Sequence, residues 1–267
     1  MNLALLGGGR MGEALAAGLL KAGWEASAIA IAEIDSDRRH LLEERLAGVR
    51  VVPSPAWAAT DAAVVVVAVK PDDVAAALEA CAPVLADGAL VLSIAAGVTI
   101  EALEAGAPGH PVVRAMPNTG ALVGRGAAAI SAGTLADDAD LELAERVLGA
   151  VGIVVRVPEK QLDAVTGLSG SGPAYVFLVV EAMIDAGVLV GLPRDTAATL
   201  VRQTLLGAAT MLGNGTESPE ALRAAVTSPG GTTAAGLQVL EARGMRAALL
   251  DAVEAATQRS RDLGRRA

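Results

Sequence analysis

The stretch LALLGGGRMG, residues 3–12, decides the fold of the first half of the chain. Its apolar start predicts a strand at 3–6, its glycines predict a tight turn, and the following apolar spacing predicts a helix over 12–22. The turn contains the pattern G-x-G-x-x-G at Gly7, Gly9 and Gly12. There the first glycine permits the turn, the second lets the backbone approach a pyrophosphate, and the third lets helix and strand pack closely. The context therefore predicts dinucleotide binding at a helix N-terminus, with a ligand-free glycine-rich turn as the alternative.

Strand-like and helix-like segments alternate from this stretch to residue 157. Further strands are predicted at 28–33, 49–52, 63–69, 89–94, 112–115, 127–131 and 153–157. Further helices are predicted at 35–46, 72–81, 100–105 and 137–150. The segment 63–69 is continuously apolar, which is typical of a strand buried on both faces. The repeated strand–helix–strand order predicts an α/β fold with a parallel, doubly wound sheet of Rossmann type.

The pattern changes after Pro158. Helical stretches separated by glycine and proline are predicted at 173–190, 193–212, 219–226, 234–242 and 246–263. We therefore predict two domains: a Rossmann-type dinucleotide-binding domain over 1–158 and an all-helical domain over 159–267.

Composition excludes several classes of protein. Of 267 residues, 53% are hydrophobic and 19% are charged, with a formal net charge of −9, so disorder and a phosphate-contacting nucleic-acid binder are both disfavoured. Cys81 is the lone cysteine and cannot form an intrachain disulfide. Uninterrupted apolar runs fall short of the roughly 18 residues that a membrane span needs. The start MNLALLGGGR lacks the features of a signal peptide. We expect a cytoplasmic protein with no membrane or nucleic-acid partner and no bound metal.

The ends of the next strands offer groups for the rest of a dinucleotide. Glu33 lies about 20 residues beyond Gly12, where an acid that binds the ribose 2′-hydroxyl belongs, which favours NADH. Arg38 and Arg39 follow closely and offer a 2′-phosphate site for NADPH instead, or an ordinary exposed helix face. Lys70 follows the most apolar strand, and the small residues at 93–97 leave room for a flat nicotinamide.

A second candidate site lies in the helical half. The segment SPGGTT, residues 228–233, combines a Pro-Gly-Gly turn with hydroxyl side chains at a predicted helix start. Free N–H groups and hydroxyls there would bind a small carboxylate. The equally weighted alternative is a capped helix whose hydroxyls serve only local hydrogen bonds.

Five motifs in this order, GGGRMG, VAVKP, RAMPN, SGSGPAY and SPGGTT, resemble those of the pyrroline-5-carboxylate reductase family over essentially the whole chain. The resemblance implies reduction of the cyclic imine pyrroline-5-carboxylate to L-proline by NADPH or NADH, the last step of proline biosynthesis. It also implies a Rossmann-type domain followed by a helical dimerisation domain. The homodimer would interlock through its helical domains, and such dimers often assemble into rings of five, which are decamers.

The resemblance assigns roles to residues of this chain. The coenzyme would be bound by Leu6, Gly7, Gly8, Gly9, Arg10, Met11, Gly12, Glu33, Ala68, Val69, Lys70, Pro71, Ala95 and Ala96. The substrate would be bound by Glu159, Ser228, Gly231, Thr232 and Thr233. Thr233 would be the catalytic group, through a hydrogen bond to the ring nitrogen. Glu33 departs from the Ser or Asn type of several relatives, which weakens the expectation of NADPH preference.

Two rival functions are weaker. Two-domain hydroxyacid dehydrogenases resemble this chain but carry a proton-donating lysine where this chain has Val176. A non-catalytic dinucleotide sensor would bind NAD(P)H without turning over the imine. For the reductase, we expect either that the imine binds already protonated or that Thr233 relays a proton, since both His40 and His110 lie outside the motifs.

Overall fold

A computed structural model describes residues 1–264, so that the last three residues of the predicted helical domain, 265–267, lie outside the described part. Eight strands form one sheet in the order β3-β2-β1-β4-β5-β6-β7-β8. They are β1 (Leu3–Leu6), β2 (Ile29–Ala32), β3 (Arg50–Val52), β4 (Val64–Val67), β5 (Leu90–Ser93), β6 (Val112–Met116), β7 (Gly126–Ala132) and β8 (Gly152–Arg156). This arrangement confirms the predicted doubly wound fold.

Helices cover both faces of this sheet. They are α1 (Arg10–Lys21), α2 (Ser36–Arg45), α3 (Pro55–Ala59), α4 (Val74–Cys81), α5 (Ile100–Gly106) and α6 (Asp138–Gly149). Side chains of Asp35, Thr99 and Asp137 accept hydrogen bonds from the first turns of α2, α5 and α6, and these caps fix where the helices begin. Helix α3 was not predicted from the sequence, because its five residues are too few to show a helical period.

The core consists of two aliphatic clusters, one on each face of the sheet. Because strand side chains alternate, Leu5 joins the cluster under α1 and α6, while Leu6 joins the cluster under α4 and α5. All four residues of β4 are fully buried, which confirms the strand predicted from the continuous apolar run. Burial of each leucine side chain stabilises the fold by about 1.5–3 kcal/mol, so this core holds the strands and their ends rigidly in place.

The prediction of a fully parallel sheet is wrong at one pair. β6 and β7 are antiparallel, with Met116 opposite Ala129, and β8 then runs parallel to β7. The segment between β6 and β7 contains only a short 3-10 turn, Thr119–Val123, which ends at Gly124 in the left-handed conformation. A parallel return needs a crossover of about a dozen residues, so this short segment makes the chain reverse.

Helices make up most of the described chain after β8. They are α7 (Leu162–Val165), a π-helical segment (Thr166–Gly170), α8 (Gly172–Leu189), α9 (Arg194–Asn214), α10 (Pro219–Ala225), α11 (Thr232–Ala242) and α12 (Met245–Gly264). Two compact units result. The first comprises Met1–Ser171 with residues 254–264, and the second comprises Gly172–Val253. The domain division predicted at 158–159 stays a prediction.

The helical unit exposes an unusual amount of apolar surface in the single chain. Leu189, Val190 and Leu250 are 86%, 78% and 72% exposed, and α8 contains no buried residue. The helical stretch Glu159–Leu189 has a mean hydropathy of 1.6 in its most apolar window and is long enough to cross a membrane by length and composition. The sequence prediction of no membrane span set the region 175–192 aside because Glu181 and Asp185 interrupt its apolar run. An exposed surface of this kind typically marks a contact with another molecule.

Candidate active site

The glycine loop between β1 and α1 has the geometry that the pattern predicts. Gly7 has a φ of +108°, and a Cβ there would lie 2.7 Å from the carbonyl oxygen of Ala68. A Cβ on Gly12 would overlap the Gly7 carbonyl oxygen. Both positions therefore require glycine, because a side chain would push the loop away from β4 or α1 away from the loop.

The N-terminus of α1 is open to a ligand. Gly9 is its N-cap, no side chain among the described residues caps it, and a Cβ built on Gly9 would meet nothing within 4 Å. The first hydrogen bond of the helix runs from the Glu13 N–H to the Gly9 carbonyl at 2.9 Å. The N–H groups of Arg10, Met11 and Gly12 precede it and lack helical partners. Together with the helix dipole they suit a phosphate group.

A cavity of about 500 Å³ lies at the carboxyl ends of β1, β2 and β4 and includes this loop. Seven of the predicted coenzyme residues line it: Leu6, Gly7, Gly9, Glu33, Ala68, Val69 and Lys70. The sequence alone did not identify the remaining wall, which comes from Ala32, Ile34, Asp35, Pro55, Asp73, Ala76 and Ala77. Pro55 belongs to the missed helix α3. Ala76 and Ala77 lie on α4, where small apolar residues look like ordinary core in the sequence.

Glu33, Arg38 and Arg39, the alternative groups for binding the ribose side of a coenzyme, make different hydrogen bonds. The Glu33 carboxylate accepts hydrogen bonds from the Gly8 N–H and the Asp35 N–H, both at 3.0 Å. The Arg38 guanidinium donates to the Gly8 carbonyl at 2.7 Å, and Arg39 donates to the carbonyls of Glu33 and Ile34 at 3.0 and 2.8 Å. Glu33 lines the cavity, whereas both arginines are committed to backbone carbonyls.

The predicted nicotinamide residues extend into a second cavity of about 520 Å³ in the same unit. Pro71 and Ala96 line it, while Ala95 is buried beneath, 4% exposed. Gly97 turns the chain here with a φ of +79°. Lys70 borders the first cavity and Pro71 the second, so the segment after β4 borders both spaces.

Glu159 is anchored within the sheet-containing unit. One of its carboxylate oxygens accepts a hydrogen bond from the Ile100 N–H at 2.7 Å and from the Arg114 guanidinium at 2.9 Å. The Arg114 side chain is only 9% exposed, and it borders a cavity of about 670 Å³ together with Gly97 and Lys160. The motif RAMPN gives no sign of this ion pair in the sequence, because the partners lie 45 residues apart.

Asn118 of the same motif fixes the π-helical segment. Its amide group donates to the Ser169 carbonyl at 3.0 Å, and its side-chain oxygen accepts from the N–H groups of Gly120 and Ala127 at 3.1 Å. A Cβ on Gly170 would lie 2.7 Å from the Met116 methyl group. The motifs RAMPN and SGSGPAY are thus partly structural partners of each other.

The segment SPGGTT forms the entry to α11 in the helical unit. Gly230 has a φ of +69°, and the Gly231 N–H donates to the Ser228 carbonyl at 3.0 Å. Gly231 is the N-cap, and no described side chain caps the helix. Thr232 is exposed and Thr233 half-buried. The hydroxyls are therefore not used to cap α11, which favours the ligand-binding interpretation over the local one.

Among residues 1–264, no group of three or more His, Cys, Asp or Glu side chains lies close enough together to hold a metal ion.

Comparison with known proteins identifies the family. A family model described as pyrroline-5-carboxylate reductase dimerisation matches residues 159–263, and one described as NADP oxidoreductase, coenzyme F420-dependent, matches residues 2–97. The pyrroline-5-carboxylate reductase of Synechocystis is 44% identical over 270 residues, covering 100% of this chain and 99% of the relative. This chain belongs to the pyrroline-5-carboxylate reductase family. The family resemblance inferred from the five motifs is thereby confirmed.

Solved structures of pyrroline-5-carboxylate reductases agree with the whole fold. The enzyme of Coxiella burnetii superposes with a TM-score of 0.94 at 37% identity, covering 98% of both chains. The pyrroline carboxylate reductase of Plasmodium falciparum, solved with NADP bound, gives a TM-score of 0.86 at 32% identity, covering 99% of this chain and 98% of that one. In this family the helical C-terminal region is the dimerisation domain.

Proposed function

We propose that this protein reduces pyrroline-5-carboxylate to L-proline with NADH or NADPH, the last step of proline biosynthesis. The observation that carries the proposal is the open N-terminus of α1, beside a cavity of about 500 Å³, in a chain that belongs to this reductase family. The enzyme is a cytoplasmic NAD(P)H-dependent imine oxidoreductase.

The coenzyme side is built from backbone and small residues. The N–H groups of Arg10, Met11 and Gly12 bind the pyrophosphate, and the absent side chain of Gly9 leaves room for it. Gly8 lies within the same loop. Lys70 meets a phosphate as a point charge, and Val69, Pro71, Ala95 and Ala96 line the nicotinamide half. The coenzyme can therefore bind to this loop without any rearrangement of the buried strands of the sheet.

The substrate side uses the mouth of α11. The N–H groups at the start of this helix and the hydroxyls of Ser228, Thr232 and Thr233 bind the carboxylate, and the tight turn at Gly231 brings them together. Glu159 completes the substrate-binding set proposed for this family. Its carboxylate already has two donors, so we assign it an orienting contribution rather than a proton transfer.

The chemistry divides between coenzyme and protein. The bound coenzyme supplies the hydride, which reduces the C=N carbon. The protein orients the imine, holds its carboxylate and excludes water. The Thr233 hydroxyl forms a hydrogen bond with the ring nitrogen: it accepts from the N–H of a protonated imine and donates to the nitrogen of a neutral one, which needs a proton as it gains electron density. Since a threonine hydroxyl is a weak acid, the imine enters protonated or Thr233 passes on a proton from water.

The assembly is a homodimer interlocked through the helical domains. The exposed apolar surface of Leu189, Val190 and Leu250 is covered by the partner subunit, and the apolar helix α8 serves this interface rather than a membrane. Further association of dimers gives a decamer. Sedimentation of the purified protein should give multiples of two chains, and a monomer at micromolar concentration would contradict this assignment.

A two-domain hydroxyacid dehydrogenase is the weaker alternative. The position of its proton-donating lysine is taken by Val176, which is 48% exposed and cannot move a proton. A sensor without catalysis would bind coenzyme but leave the imine unchanged.

The deciding experiment is a steady-state assay of pyrroline-5-carboxylate with NADH and NADPH, following coenzyme absorbance. We expect turnover in the wild type and a loss of kcat/KM of at least about tenfold in Thr233→Ala. The matched control is Thr227→Ala, whose hydroxyl donates locally to the Arg223 carbonyl at 2.6 Å. The control should retain activity. No turnover with either coenzyme would contradict the reductase function, and full activity of Thr233→Ala would remove this residue from the mechanism.

A further inference from the structure

Two side chains hold Gly8, in the middle of the glycine loop. The Gly8 N–H donates to the Glu33 carboxylate at 3.0 Å, and the Gly8 carbonyl accepts from Arg38 Nε at 2.7 Å. Glu33 and Arg38 are the two groups that compete, in chemical terms, for the 2′ position of a coenzyme: an acid favours the free hydroxyl and an arginine favours the phosphate. Both are bound to the same residue of the loop.

Glu13, in the first turn of α1, binds the guanidinium of Arg38. One of its carboxylate oxygens accepts a hydrogen bond from Arg38 Nη2 at 2.5 Å, and the other accepts from Arg45 Nη1 at 3.0 Å. The Glu13 side chain is 21% exposed. Burial raises its pKa, but hydrogen bonds from Arg45 and Arg38 and their charges outweigh burial, so that the pKa lies below its ordinary value. Glu13 is therefore ionised at neutral pH.

The two partners of Arg38 lie on different elements, so that its guanidinium bridges α1 and the loop. Moving Arg38 toward a ligand breaks a charge-assisted pair with Glu13 and a hydrogen bond to Gly8. Glu33, in contrast, can meet a ligand without breaking its hydrogen bonds. Its two hydrogen bonds come from backbone N–H groups and leave carboxylate lone pairs for ribose hydroxyls, while its charge opposes a phosphate.

We propose that Glu13 is a positioning residue for coenzyme discrimination: by pairing with Arg38 it keeps that guanidinium from a 2′-phosphate and leaves Glu33 to select NADH. This inference rests on the proposed function of the glycine loop as a dinucleotide site. Glu13 itself touches no part of the coenzyme cavity, so it acts only through Arg38.

The test is a binding titration of NADH and NADPH, without imine, monitored by nicotinamide fluorescence. We expect the wild type to bind NADH more tightly. Glu13→Gln removes the charge but keeps the shape, and should shift the ratio of dissociation constants toward NADPH by about fivefold, the size of one partly exposed charge pair. The double variant Glu13→Gln/Arg38→Gln should lose this shift, because no arginine is released.

The matched control is Arg45→Gln, which removes the other partner of Glu13 and leaves the Glu13–Arg38 pair intact. Its ratio should equal that of the wild type. A structural defect would weaken both coenzymes alike, so an unchanged ratio in Glu13→Gln overturns the inference even if affinity falls. An NADPH-preferring wild type, or an equal shift in Arg45→Gln, also overturns it. If neither coenzyme binds the wild type, the proposed function itself fails.

Discussion

Replacing Gly9 with alanine should affect coenzyme affinity and the free energy of unfolding differently. Gly9 has a φ of −62° and a ψ of −174°, which any residue adopts, and the space around a Cβ there is open to 4 Å. Alanine should therefore leave the free energy of unfolding unchanged or raise it by up to about 1 kcal/mol, because it restricts the unfolded chain. In the complex, the same methyl group occupies the space through which the backbone meets the pyrophosphate.

The expected loss of affinity follows from this overlap. Inserting a methyl group into a close-packed contact costs about 1–3 kcal/mol, which is about 5-fold to 150-fold in the dissociation constant of NADH. Fluorescence titration measures the constant, and a thermal melt measures stability. The matched control is Gly149→Ala at the end of α6, where the surroundings of a Cβ are equally open. The control should leave the affinity for NADH unchanged and, like Gly9→Ala, leave the stability unchanged or raise it by up to about 1 kcal/mol. Wild-type affinity for NADH in Gly9→Ala would refute the assignment of the loop.

Three further predictions concern other parts of the sheet-containing unit. Glu159→Gln leaves Arg114 without its carboxylate and should lower stability by about 2 kcal/mol, less than for a fully buried pair because Glu159 is 35% exposed; an unchanged melting temperature would contradict it. Burial raises the pKa of Cys81 to about 11, so a thiol reagent should react only as fast as the protein unfolds, and rapid labelling of the native protein would contradict this. Because the pKa of Glu13 is depressed in the folded protein, its ion pairs stabilise the fold above pH 4.5 and are lost as pH falls through the native pKa. The free energies of unfolding of the wild type and Glu13→Gln should therefore differ by about 1 kcal/mol at pH 7 and converge at low pH. A difference independent of pH would be inconsistent with this.

Local signals in the sequence were sufficient for the strands and for the glycine loop. The β4 run of valines has no polar residue, so its burial on both faces follows from composition alone. Asp35 and Asp137 mark helix starts by their capping chemistry, and the structure uses both as caps. The spacing of Gly7 and Gly12 follows from steric demands that are themselves local.

Features that depend on distant pairing were not predictable. The ion pair of Arg114 with Glu159 joins the middle of β6 to a helical turn 45 residues later, and neither residue type by itself indicates its partner. The commitment of Arg38 to Glu13 likewise depends on how α1 packs near α2. The reversal at β7 follows from the length of a connection whose ends the sequence placed only approximately.

The last helix has a consequence for how the protein is made. Residues 254–264 of α12 belong to the same compact unit as the sheet, where Ser260 donates a hydrogen bond to Asp163 at 2.7 Å. During synthesis, the first 171 residues thus emerge from the ribosome without a segment that completes their own unit. The unit stays incomplete while the 82 residues of the helical unit are translated, and a gene fragment that ends before α12 would encode an unfinished sheet-containing unit.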